Sequence, residues 1–125
     1  MKVYLCGPIN GCTDAEAKDW REAAKKRFPD HLDPMKRDYR GREDECVNEI
    51  VILDKREVES VDVLLVNAPV ASWGTAMEIK HAWDRGIPCV VVVPAGTRIS
   101  PWLRYHATKI VHSFEDAYAW IEASL

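Results

Sequence analysis

The sequence predicts one α/β domain, a five-stranded parallel sheet in strand order 2-1-3-4-5 with helices on both faces. Three observations carry this. Short β-branched apolar runs, Val63-Leu64-Leu65-Val66 and Ile87 to Val93 among them, read as strands buried on both sides. Segments with helical apolar spacing lie between them, and such alternation calls for parallel strands joined by right-handed crossovers. The length of 125 residues, 47% hydrophobic and 30% charged, suits a single domain over 1–125 with its own core.

The elements follow in order. Lys2 to Cys6 reads as the first strand and ends in the turn Gly7-Pro8-Ile9-Asn10-Gly11. That turn lacks the Gly-Lys-Ser/Thr of a P-loop and the spacing of G-x-G-x-x-G. Thr13 and Glu16 have capping-box spacing and open a helix through about Arg27, closed by Pro29. His31-Leu32-Asp33 is a short extended segment before Pro34. Met35 to Asp44 is a charged loop, read either as a solvated connection or as a segment covering a substrate. Glu45 to Ser60 is a helix in which Val47, Ile50, Val51, Val58 and Val61 form one stripe. Asp62 to Asn67 is the third strand. Ala76 to Arg85 is a helix with Ala76, Ile79, Ala82 and Trp83 on one face and Gly86 as its stop. Ile87 to Val93 is the fourth strand, ended by Pro94-Ala95-Gly96. Ser100 to Leu103 starts a short irregular or helical piece. Lys109 to His112 is the last strand. Ser113 with Asp116 caps a final helix from Phe114 to about Ser124, with Ala117, Trp120 and Ile121 inward. The whole is a flavodoxin-like, Rossmann-like arrangement, in which ligands bind at the carboxyl ends of strands.

Strand order then brings two turns together. Tyr4 to Asn10 faces Ser72 to Glu78 across the point where the order reverses. The second stretch is a strand-to-helix turn rich in small residues, whose free N–H groups suit an anion or polar oxygen. Glu78 lies in about the first turn of the helix that follows. It either complements the helix dipole or faces a ligand. Asp54 sits inside the apolar stripe of the preceding helix, four after Ile50 and four before Val58. A carboxylate there is costly unless paired or used. It either meets a basic neighbour such as Lys55 or Arg56, or works in a cleft. Two carboxylates flanking a glycosidic bond can run a retaining displacement.

Bulk properties exclude other classes. A net charge of −3 provides no footprint for nucleic acid or membrane. Cys6, Cys12, Cys46 and Cys89 have no C-x-x-C spacing, and His31, His81, His106 and His112 have no zinc spacing. Gly7-Pro8 breaks the opening apolar run too early for a signal peptide. The expectation is a cytoplasmic protein that needs no cofactor and no metal, with a small-molecule substrate.

The ordered set Val3-Tyr4-Leu5-Cys6-Gly7-Pro8-Ile9, Asp54, Asp62 and Ser72-x-Gly74-Thr75-x-x-Glu78-x-x-x-Ala82, then Gly86-Ile87-Pro88, resembles the nucleoside 2-deoxyribosyltransferase family. The family includes related nucleoside 5′-monophosphate N-glycosidases. The resemblance implies that Glu78 is the nucleophile at the sugar C1′. It implies that Asp54 protonates and recognises the leaving base, and that Tyr4 orients Glu78. It places Gly7, Pro8, Ile9 and Asn10 under the base or sugar, and Ser72, Gly74 and Thr75 at the 5′ end. Arg40 is the arginine taken from the charged loop to meet the substrate. It also implies a homo-oligomer, a dimer or higher, in which a neighbour completes the site.

Position 72 departs from the better-known transferases, which often carry Asp there for the 5′-hydroxyl. Serine is similar to the monophosphate N-glycosidases instead. Deoxyribosyl transfer to another base, or to water, is the leading expectation, and monophosphate hydrolysis the alternative. Gly74-Thr75-x-x-Glu78 is also similar to the cytokinin-activating phosphoribohydrolases, but Pro69-Val70-Ala71-Ser72-Trp73 lacks their Pro-Gly-Gly motif. A non-catalytic nucleotide-binding module is the reading from a different class.

Overall fold

The computed structural model describes residues 1–125. The strands are β1 (Val3–Cys6), β2 (His31–Leu32), β3 (Val63–Asn67), β4 (Cys89–Val92) and β5 (Lys109–Val111). The helices are α1 (Asp14–Arg27), α2 (Val47–Glu59), α3 (Trp73–Asp84), α4 (Pro101–His106) and α5 (Phe114–Ser124). All strand pairs are parallel, in the order β2-β1-β3-β4-β5. This is the expected order. Val3 pairs with Val63 and Cys6 with Val66, so the ends of β1 and β3 lie side by side. No helix is long and apolar enough to cross a membrane.

Successive residues of a strand point to opposite faces, and this alternation decides what each helix layer meets. Val3, Leu5, Val63, Leu65, Val90 and Val92 pack with Ala24 and Phe28 from the α1 side and with Ala117, Tyr118 and Ile121 of α5. Tyr4, Cys6, Leu64, Val66 and Val91 pack on the other face with Val58 of α2 and Ile79 and Ala82 of α3. Period two therefore sends Tyr4 and Cys6 toward the two helices that carry Asp54 and Glu78.

Caps hold the helix ends where the sequence places them. Thr13 Oγ1 accepts from Glu16 N at 3.2 Å while the Glu16 carboxylate accepts from Thr13 N at 2.9 Å. Ser113 Oγ accepts from Asp116 N at 3.1 Å. Gly86, at φ 71°, takes the left-handed step after α3 that a side chain would resist.

Three helix faces differ from expectation. α3 starts at Trp73, with Ser72 as its N-cap, because glycine in a first turn does not stop a helix. Glu78 therefore sits in the second turn. The buried face of α3 is Thr75, Ile79 and Ala82, while Ala76 and Trp83 are exposed. Along α2 only Val58 is fully buried, and Val47 and Val51 are exposed. The last turns of α2 meet the sheet and its first half overhangs it, so the valine stripe is not a core stripe throughout. In α5 Tyr118 is buried, and Trp120 only flanks the core.

Candidate active site

Glu78 lies against the end of β1, where Tyr4 and Cys6 both reach its carboxylate. Tyr4, fully buried on β1, donates its phenolic hydrogen to Glu78 Oε2. Cys6, two residues along and so on the same face, lies with Sγ 3.6 Å from Glu78 Oε1. Burial disfavours the charged form and pushes Glu78 up to about 7. The Tyr4 and Cys6 donors and the cation of Arg21 pull the other way, while the charge of Asp54 adds to the rise. Tyr4 is held well above its ordinary range by burial and by the charges of Glu78 and Asp54. It therefore stays a donor throughout the neutral range.

Asp54, on α2, is near enough for its charge to raise both Tyr4 and Glu78. Its own carboxyl is raised by burial, against the pull of Arg37. Arg37 is its basic partner, with Nη2 3.2 Å from Asp54 Oδ1 and a second bond to Glu57 Oε1, one turn further on. Neither Lys55 nor Arg56 fills that role. Arg37 comes from the charged loop, just after the 3₁₀ turn Pro34–Lys36. That loop therefore reaches the site through Arg37. Arg40 is committed elsewhere. Its Nη2 meets Asp14 at 2.6 Å and Asp38 at 2.7 Å, and its Nη1 donates to Cys12 O at 3.1 Å. It staples the loop to the start of α1.

The turn after β1 is supported from below by Arg21, a residue the sequence reading passed over. Arg21 is completely buried. It donates to Ala17 O at 2.6 Å, Gly7 O at 3.0 Å and Leu5 O at 3.4 Å, and pairs with Asp33 at 3.4 Å. Lys25 binds the same Asp33 at 2.7 Å. The signal was available, since Ala17, Arg21, Ala24 and Phe28 follow helical spacing and put a cation on an apolar stripe. Gly7 has no room for a side chain, because a Cβ would meet Trp20 at 2.9 Å and the Asn67 carbonyl at 3.1 Å. Pro8 is buried, Ile9 half-buried, and Asn10 exposed at the tip of the turn.

The expected 5′-end residues lie at the start of α3. Ser72 is an extended N-cap whose side chain makes no capping bond, and the first turn carries no acid. Gly74 is exposed, with open space where a side chain would stand. Thr75 is buried and its Oγ1 has no partner. Ser72 and Thr75 also line a cavity of about 670 Å³ between α3 and α4, with Trp73, Arg98, Trp102 and His106. Glu78 is not on its walls. Trp73 and Trp102 are 84% and 76% exposed.

The structure thus joins Tyr4 and Cys6 to Glu78, sets Asp54 with its partner Arg37 close enough to act on Glu78 by charge, and sets Arg40 apart. Solved structures with the same fold include a 2-deoxyribosyltransferase from Bacillus psychrosaccharolyticus, with TM-score 0.75 and 16% identity over 94% of this chain and 90% of that one. A conserved protein from Enterococcus faecalis V583 superposes with TM-score 0.73 and 18% identity over 99% and 98% of the two chains. The Clostridium botulinum CMP N-glycosidase BcmB does so with TM-score 0.61 and 15% identity over 98% and 99%. No protein-family model matches the sequence, and no curated protein does.

Proposed function

We propose that this protein cleaves the N-glycosidic bond of a 2′-deoxynucleoside through a covalent deoxyribosyl–Glu78 intermediate and passes the sugar to another base or to water. The observation that supports it most is a carboxylate held at both oxygens by Tyr4 and Cys6, with a second acid, Asp54, close enough for its charge to act on it. An oxygen of Glu78 attacks C1′ as the C1′–N bond breaks and its electron pair leaves with the base. Asp54 delivers a proton to that base. In the second half an acceptor base or water attacks C1′, Asp54 takes its proton, and Glu78 departs as carboxylate. Tyr4 keeps Glu78 oriented. The turn Gly7 to Asn10, seated on Arg21, forms the floor beside the base and sugar. Arg37 holds Asp54 in place until the base arrives.

A second reading has its own support. Ser72 leaves its capping position unfilled, and no acid neutralises the first turn of α3. Those free N–H groups favour an anion. In that reading Ser72, Gly74 and Thr75 hold a 5′-phosphate and water takes the sugar.

A panel assay separates the readings. The protein is incubated with deoxynucleosides and their 5′-monophosphates, with and without a free acceptor base. Transfer produces a new nucleoside. Hydrolysis frees base alone and prefers the monophosphate. No turnover on any member leaves only a binding module.

A further inference from the structure

We propose that Cys6 is a positioning residue whose thiol hydrogen holds Oε1 of Glu78, the oxygen that Tyr4 leaves free to attack, and follows that oxygen's charge. The proposal rests on Glu78 being the nucleophile. The thiol is fully buried on β1, and two acceptors lie within its reach. One is Glu78 Oε1 at 3.6 Å, the other the carbonyl of Thr75 at 4.0 Å. A thiol carries one hydrogen and can serve only one of them well. An ionised carboxylate is the stronger acceptor. With Glu78 charged, the hydrogen goes to Oε1.

The two oxygens of Glu78 are then unequal. Oε2 takes the tyrosine hydroxyl, a strong donor from a group that stays protonated. Oε1 takes only a thiol, a weak donor, and keeps more of its electron density. A nucleophilic oxygen needs a lone pair free of a strong hydrogen bond, so Oε1 attacks and Oε2 is the anchor. When the C1′–Oε1 bond forms, the negative charge on Oε1 is spent. The thiol hydrogen then turns to the Thr75 carbonyl, one helical turn back, and is not stranded in the core. A hydroxyl would hold Oε1 more tightly in the charged state, and an alanine would leave it unheld. The thiolate itself takes no part, because burial and the charge of Glu78 keep Cys6 protonated.

The test uses Cys6→Ala and Cys6→Val, the second keeping the cavity filled while removing the donor. Glu78 must be ionised to attack, so kcat/KM falls as pH drops through its pKa. A donor to the carboxylate lowers that pKa, and its loss raises it. Both variants should move the acid limb of kcat/KM to higher pH and cost about tenfold on that limb, the scale of one hydrogen bond to a charged group. A packing role alone would lower the rate without moving the limb, and Cys6→Val would largely escape it. Infrared difference spectra supply a readout that does not need turnover. One S–H stretching band, absent from Cys6→Ala, should shift to higher frequency as Glu78 is protonated. It should move the same way on trapping the sugar adduct. An unmoved acid limb in both folded variants, or a Cys6 band indifferent to Glu78, overturns the proposal while leaving Glu78 as nucleophile. Full activity in Glu78→Ala overturns the reading beneath it instead.

Discussion

A carboxyl raised to about 7 is a liability for the folded state at neutral pH. Glu78 binds its proton more tightly folded than unfolded, where it titrates near 4.5. Stability therefore falls as pH rises between those values. The penalty is absent below the lower value and complete above the upper one, at about 3 kcal/mol as an order of magnitude. Melting temperature in the parent should fall across this window, and Glu78→Gln should remove most of the fall and melt higher at neutral pH. The same variant should lose several orders of magnitude in turnover. Glu78→Gln that is both active and no more stable would contradict the site. Asp54 obeys a different logic, because Arg37 opposes its burial. Asp54→Asn should cost about 10²–10⁴-fold on natural bases and spare an activated leaving group. It should not lower the melting temperature, since Glu57 still pairs with Arg37. Arg37→Met should raise Asp54 further. A general acid works protonated and fails as pH rises through its pKa, so the alkaline limb of activity should move to higher pH. An unmoved limb would assign Arg37 to loop anchoring alone.

At the scale of elements, α3 carries the open question of the 5′ end. Ser72→Asp puts a better acceptor on an unfilled N-cap and a negative charge at the positive end of a helix. It should stabilise the fold by about 1 kcal/mol at most. A site for a 5′-hydroxyl should tolerate it or improve. A site for a 5′-phosphate should lose binding to the like charge. The ratio of kcat/KM for a deoxynucleoside over its monophosphate, in parent and variant, reads this directly, and we expect the hydroxyl outcome. The elements were largely legible in sequence, because caps, β-branched runs and Gly86 act locally. Tyr4 and Glu78 were legible through strand order, which depends on connection rules more than on contacts. The Asp54–Arg37 pair was not, since nothing local tells where a polar loop returns. The valines of α2 misled for a related reason. Periodicity marks a face but not how far a sheet extends beneath it.

For the whole molecule, the structural neighbours share 15–18% identity over nearly the full chain, so the architecture persists where most side chains differ. The exposed apolar residues are concentrated on α2, α3 and α4, with Val51, Ile52, Trp73, Met77, Trp102 and Tyr105 among them. That is much apolar surface for one face of a small domain. We expect a homo-oligomer that covers it, with Trp73 or Trp102 at the interface. Sedimentation should show a dimer or larger species that Trp73→Ser or Trp102→Ser weakens, and a fully active monomer would refute this. Covalent catalysis by Glu78 has a more direct test. The protein is incubated with a deoxynucleoside analogue whose second step is slowed, digested, and its peptides weighed. Covalent catalysis predicts one added sugar on the peptide that holds Glu78, lost in Glu78→Gln. Efficient turnover with no adduct, or an adduct that maps to another residue, would contradict it.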